Sequence, residues 1–210
     1  MAAHLKRCRT LILAAAVVAG LLGGCDKAGG PSAPAAAPAS FKGIDITGAE
    51  YARELSLPDA NGKLRTLADF KGKVAVVFFG FTQCPDVCPS TMAELAAVKR
   101  ELGPDGERVV GIFVTVDPER DTAQILKAYV EAFDPSFVAL RGTLDETKAA
   151  AKHFKIFYAK VPGKSEGSYS VDHTAGSFVF DPQGRVRLFT RYGTGAPALL
   201  HDLKILLAQK

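Results

Sequence analysis

The 210 residues, 48% of them hydrophobic, are enough for one ordinary domain with its own core. The formal charge of +4 shrinks once Lys6, Arg7 and Arg9 are set aside, because the chain beyond them holds 23 basic against 22 acidic residues. So even a balance argues against a nucleic-acid partner.

Residues 1–24 read as a signal segment, with a basic front followed by an apolar run over 11–22 that is too short to span a bilayer. The run ends in Leu22-Gly23-Gly24-Cys25, which resembles the lipobox of bacterial lipoproteins. That resemblance implies cleavage before Cys25, loss of Cys8 and acylation of Cys25, with stable attachment to a membrane surface. Asp26 resembles an inner-membrane retention signal, so the expected location is the inner membrane with the folded part facing the periplasm. Residues 25–42, rich in Ala, Pro, Gly and Ser, are expected to form an extended tether of up to roughly 50 Å. Residues 43–210 form the expected domain.

In chain order, residues 55–57 and 63–66 flank Asp59-Ala60-Asn61-Gly62, an Asn-Gly turn that predicts an N-terminal hairpin. Residues 73–79 are continuously apolar and β-branched, the pattern of a strand covered on both faces. Met92, Leu95, Ala96, Val98 and Leu102 recur at helical spacing until Gly103-Pro104. Residues 108–116 predict a second buried strand, after which Asp121 is expected to cap a helix through Tyr129 and Val130. A strand at 137–140, a helix over 144–154, a strand near 156–161, a loop over 162–170, a hairpin joining 177–180 to 186–189, and a helix over 198–207 complete the pattern. Strands alternating with helices and closing on a hairpin predict an α/β sandwich, a mixed central sheet with helices on both faces. Ligands of open α/β sheets bind at the carboxyl ends of strands. Cys84, Cys88 and Asp117 fall just past two such ends.

Cys84 and Cys88 are the only thiols left unmodified if Cys8 is removed and Cys25 is lipidated. A Cys-x-x-x-Cys spacing at a helix start sets two sulfurs one turn apart on one side. Amides at a helix N-terminus lower a thiol's pKa, and soft thiolates select soft metals such as copper(I). The same spacing permits a disulfide, so it leaves metal binding, electron exchange and a structural bridge open. A bridge closing so short a loop would stabilise little, and a closed zinc site would need four ligands. Among the histidines, His153 at a helix end and His201 beside Asp202 read as structural. His173, at the close of the Gly- and Ser-containing loop, is the candidate third ligand, with Asp172 placed to orient it.

Three segments, Gly80-Phe-Thr-Gln-Cys-Pro-Asp-Val-Cys-Pro89, Val114-Thr-Val-Asp-Pro-Glu-Arg-Asp121 and Tyr169-Ser-Val-Asp-His-Thr174, together resemble the Sco/SenC family of thioredoxin-like copper proteins. Members of that family assist assembly of the copper site of cytochrome c oxidase, and the likeness runs from about residue 43 to 207. It implies a thioredoxin-like fold and copper held by Cys84, Cys88 and His173, with a two-sulfur, one-nitrogen set for copper(I) and further ligands for copper(II). It also implies as partners the copper-bearing subunit of the oxidase, a copper donor and a periplasmic thiol reductant. Metal delivery rather than catalysis is the expected role. The alternative within the family is a thiol-disulfide reductase with Cys84 and Cys88 as its redox pair. Three residues rather than two between the cysteines, and no proline between His173 and Phe178, depart from thioredoxin and favour metal holding. Thr82-x-Cys84 departs from the Thr-x-x-Cys of peroxiredoxins. Asp117 and Arg120 lie in a family segment without an assigned ligand role.

Overall fold

The computed structural model describes residues 40–209. The signal segment, Cys25 and the tether up to residue 39 lie outside the described residues. None of the described helices is long and apolar enough to cross a membrane.

Strands β1 (Ile44–Asp45), β2 (Ser56–Pro58), β3 (Leu64–Thr66) and β4 (Val74–Gly80) open the domain. Helix α1 (Val87–Glu101), strand β5 (Val109–Thr115), helix α2 (Ala123–Glu131), strand β6 (Val138–Leu140) and helix α3 (Leu144–His153) follow. Strands β7 (Tyr158–Pro162), β8 (Tyr169–His173), β9 (Gly176–Phe180) and β10 (Val186–Arg191) lead to helix α4 (Ala196–Ala208). Six strands form the main sheet in the order β1-β10-β9-β4-β5-β6. β4, β5 and β6 run parallel, whereas β9 pairs antiparallel with both β4 and β10, and β1 pairs antiparallel with β10. Every residue of β4 and β5 is buried, which is why both read as unbroken apolar runs.

Adjacent residues of a strand point to opposite faces, and the aromatic contacts show what covers each. Phe78 meets Phe113, whose ring packs on Tyr129 of α2, and a side chain added at Gly111 would strike Leu95 of α1. The opposite face carries Phe79, and there Phe154, directly after α3, packs on Phe79, Phe178 and Phe180. The mixed sheet with helices on both faces is thus the expected α/β sandwich. The N-terminal hairpin forms as a separate two-stranded sheet of β2 and β3. Its turn has Gly62 at φ +79, and the buried Asp59 carboxylate accepts from the amides of Asn61 and Lys63 and from Arg65 Nε.

Two expectations fail for tertiary reasons. The strand near 156–161 does not extend the central sheet; as β7 it pairs with β8 in a hairpin of its own, outside that sheet. Most β7 and β8 side chains are exposed or half-buried and only Val171 is buried in the core, too little apolar surface for a strand covered on both faces. Asp121 does not cap α2. Thr122 does, its side chain accepting from Ile125 N, while Asp121 is fully buried and bonds elsewhere.

Tyr129 supplies a first prediction. Its ring packs on Phe113 and Phe133, yet its hydroxyl is buried without a hydrogen-bond partner. Tyr129→Phe removes that uncompensated group and keeps the ring. The variant is expected to match or exceed wild-type stability by about 1 kcal/mol in denaturant unfolding; a loss of similar size would show that the hydroxyl is paired in solution.

Candidate metal centre

β4 ends at Gly80, and the chain then turns through residues 81–86 into α1. Cys84 stands in this turn, half-buried, and only Cys88 lies in the first helical turn. The expectation that both cysteines occupy the helix start is corrected accordingly. Pro85 disfavours helical geometry in the residue before it, so the helix waits until Val87. The pair nevertheless faces one point, because the Cys88 amide donates to Cys84 Sγ at 3.4 Å.

His173 is the last residue of β8 rather than a loop residue. Tyr169, Val171 and His173 are the more buried members of an alternation with exposed Ser170 and Asp172, which directs the imidazole inward. The ring stands edge-on to Phe78 and Phe81, with centroids 5.7 and 5.9 Å away. Its Nδ1 lies 3.1 Å from the Thr174 carbonyl, an acceptor only, so Nδ1 carries the proton and donates. Nε2 is left unprotonated, and its lone pair accepts from the Cys88 thiol at 3.5 Å. Asp172 is exposed, and the orienting contact expected of it is made by Thr174; Asp172 acts on the ring only through its charge.

Cys84, Cys88 and His173 offer ligand atoms that all lie within 4.8 Å of one another. Metal bonds of about 2.0–2.3 Å place three trigonal ligands roughly 3.5–4 Å apart, so the set needs only a small contraction to hold one ion. Two soft sulfurs and one imidazole suit copper(I). Among the described residues this is the one group of three or more such side chains close enough to share a metal. His153 lies 4.0 Å from Glu54, and His201 Nδ1 lies 2.9 Å from Asp202, so both histidines have partners elsewhere.

Burial sets the protonation of His173 and Cys88, two of the three candidate ligands. Burial lowers the His173 pKa, against opposing effects of the Thr174 carbonyl and Asp172, and so keeps the ring neutral and able to ligate near pH 7. Burial also pushes the Cys88 thiol up, the hydrogen bond with Cys84 adds to the rise, and a Phe81 backbone bond only partly offsets it. The expected lowering by the helix N-terminus is therefore overruled at Cys88, because desolvating a thiolate outweighs the pull of a few amides. The buried thiol holds its proton until something stronger displaces it, and a soft cation does so. A cleft of about 440 Å³ lined by Cys84, Pro85, Val87, Phe157 and His173 leaves Cys84 and His173 reachable from solvent, whereas Cys88 is buried.

Two contributors were hard to find in the sequence. Gly80 is one: a side-chain carbon there would come within 2.8 Å of Cys88 Sγ. A glycine closing an otherwise β-branched strand was its signal. Asp121 is the other. Its carboxylate accepts from Thr82 N at 3.1 Å, Thr82 Oγ1 at 2.5 Å and Thr115 Oγ1 at 2.6 Å, tying the cysteine turn to the end of β5. No local pattern distinguishes that role from a helix cap.

The family model described as SCO1/SenC matches residues 45–208. The mouse mitochondrial SCO2 homolog is 37% identical over 141 residues, 66% of this chain and 54% of the mouse protein, so the match spans only about half that relative. Among solved structures, copper-bound ScoI of Bradyrhizobium japonicum is similar at 38% identity and TM-score 0.66, over 73% of this chain and 97% of that one. Apo Sco1 of Thermus thermophilus is similar at 38% identity and TM-score 0.70, over 79% and 96% respectively.

Proposed function

The chain belongs to the SCO1/SenC family, and on that footing we propose that it carries copper on Cys84, Cys88 and His173 and helps load the copper-bearing subunit of cytochrome c oxidase. The observation that carries this reading is the convergence of two sulfurs and a deprotonated imidazole nitrogen within 4.8 Å. The copper-bound relative supports it. The ion is cargo here, and the protein contributes selectivity by ligand softness and access through the cleft at Cys84 and His173. Copper enters from a separate donor. A periplasmic thiol reductant keeps the two cysteines reduced between cycles, because a dithiol outside the cytoplasm is otherwise exposed to oxidation. Cys25, lipidated in the inner membrane, and the tether up to residue 42 hold the domain within reach of the membrane-bound oxidase on the periplasmic side.

Copper(I) titration of the reduced chain against a competing chelator tests the reading. One tight site per chain with two sulfur ligands and one nitrogen ligand is expected, weakened at least about tenfold in His173→Ala. Affinity unchanged by that substitution would sink the three-ligand site.

The half-exposed Cys84 beside the buried Cys88 supports a second reading, a reductase dedicated to the oxidase cysteines. The Cys84 thiolate would attack a target disulfide and Cys88 would resolve the mixed disulfide. The target leaves with two thiols and this chain with a Cys84–Cys88 bridge. Full rescue of oxidase assembly by His173→Ala, with none by Cys84→Ser, would favour the reductase.

A further inference from the structure

The copper site is assembled from two parts that do not otherwise share a sheet. The cysteines sit between β4 and α1, whereas His173 rides on the β7–β8 hairpin outside the central sheet. Something must fix the hairpin's position, since an ångström of drift would take Nε2 out of range of a shared ion. Val171 in the core and the short run from His173 into β9 supply part of the hold, and the polar contacts converge on residues 117–121, just after β5.

Asp117 is almost completely buried, and its carboxylate accepts from the Tyr169 hydroxyl at 2.8 Å and from Arg120 Nε. Arg120 Nη1 donates at 2.8 Å to the Tyr169 carbonyl at the start of β8, and the guanidinium lies over the Tyr169 ring at 3.7 Å from its centroid. The same guanidinium stands 5.8 Å from the ring of Phe81, which in turn packs on His173. Arg120 thus grips β8 by backbone, ring and, through Asp117, hydroxyl. On the other side, the Asp117 amide donates to Thr115 Oγ1, Thr115 Oγ1 donates to Asp121, and Asp121 holds Thr82, two residues before Cys84. One short segment therefore holds the histidine hairpin with one end and the cysteine turn with the other.

Arg120 holds this place at a cost. Its Nη2 is buried with no hydrogen-bond partner, an arrangement that a merely stabilising surface arginine would avoid. Lys160 adds an outer contact, pairing with Glu119 and lying over the Tyr169 ring at 4.6 Å, but both ends of that pair are about half exposed and contribute little.

We propose that residues 117–121 form a bracket that sets the distance between His173 and the two thiols, with Arg120 as the positioning residue that latches the β7–β8 hairpin. Arg120 touches no metal, and its effect on copper runs through His173. The proposal rests on the copper reading above for its affinity readout but not for its structural one.

The test uses wild type, Arg120→Gln, Tyr169→Phe, His173→Ala and the double variant Arg120→Gln/His173→Ala, each titrated with copper(I) and each examined metal-free by amide hydrogen exchange. Arg120→Gln is expected to weaken copper(I) binding about tenfold, as loss of a residue supporting a ligand does. It is expected to speed exchange across Tyr169–His173 while leaving β4 and β5 unchanged. The double variant is expected to bind no more weakly than His173→Ala alone, because a residue acting only through the histidine has nothing further to lose. Wild-type affinity in Arg120→Gln, or losses that add in the double variant, overturns the proposal. Should Arg120→Gln fail to fold, Tyr169→Phe removes only the hydroxyl held by Asp117, and a smaller change in the same two readouts is expected; no change in either overturns the latch. If wild type binds no copper, the copper reading fails by itself, and exchange at Tyr169–His173 still decides whether the bracket holds.

Discussion

Gly80→Ala is expected to lower stability by about 2–3 kcal/mol and, in the fraction that folds, to weaken copper(I) binding by more than tenfold. The added carbon would come within 2.8 Å of Cys88 Sγ and of Phe78 Cε1 and within 3.1 Å of Phe113 Cε2. All three neighbours are buried, and a packed interior has no slack to absorb a methyl group. Alanine restricts the unfolded chain more than glycine does, which returns at most about 1 kcal/mol and leaves the sign unchanged. The easiest relief is to push Cys88 away from the sheet, and that separates Sγ from His173 Nε2. Denaturant unfolding reads the first effect and chelator competition the second. A variant as stable as wild type with unaltered affinity would show that the space beside Cys88 is not limiting.

Asp121→Ala is the second large effect. It strips the acceptor from the Thr82 amide, the Thr82 hydroxyl and the Thr115 hydroxyl, with Asp121 itself fully buried. An orphaned donor costs about 1–3 kcal/mol where buried, as at Thr115, and less at the half-buried Thr82; with the lost tie between the two segments and the offset of no longer burying a charge, a net loss of about 3 kcal/mol is expected. For a domain of this size that corresponds to a melting temperature about 6–12 °C lower. The pH dependence identifies the cause. Burial raises the Asp121 pKa above its ordinary value, outweighing the bonds from Thr115 and Thr82 that pull it down. A carboxyl with a raised folded pKa binds its proton more readily folded than unfolded. Its stabilising contribution is therefore fully present below the ordinary carboxylate value and is lost as pH climbs through the raised one. Asp121→Asn, which keeps the shape and cannot ionise, is expected to lose less than the alanine variant. Wild-type stability relative to it should fall with rising pH across that window and then level off. A wild-type curve that runs parallel to the asparagine variant's would contradict the direction.

Particular residues show where sequence reading reaches its limit. β4 and β5 were legible because a strand covered on both faces has no polar face to interrupt it. The Asn-Gly turn of the first hairpin and the alternating helices were legible for similarly local reasons. β8 is hidden in the sequence although Tyr169, Val171 and His173 alternate with Ser170 and Asp172, because only Val171 is buried and its strand partner β7 lies outside the central sheet. Asp121 before Thr122 looks like any cap, and only the approach of Thr82, 39 residues away in sequence, shows what it holds.

The residue types and spacing by themselves narrowed the candidate donors to two thiols four positions apart and a histidine before a buried strand, but left metal binding, electron exchange and a bridge open; the three segments that resemble the Sco/SenC family pointed to copper. Residue types and spacing also determined the α/β architecture, through apolar runs and helical periodicity. Only the tertiary structure decided that Cys84 sits in a turn while Cys88 is sealed beneath it, that burial raises the Cys88 thiol, that Thr174 rather than Asp172 turns the imidazole, and that residues 117–121 join the two halves of the site. Those outcomes depend on desolvation and on contacts between segments remote along the chain, and neither leaves a mark in local sequence.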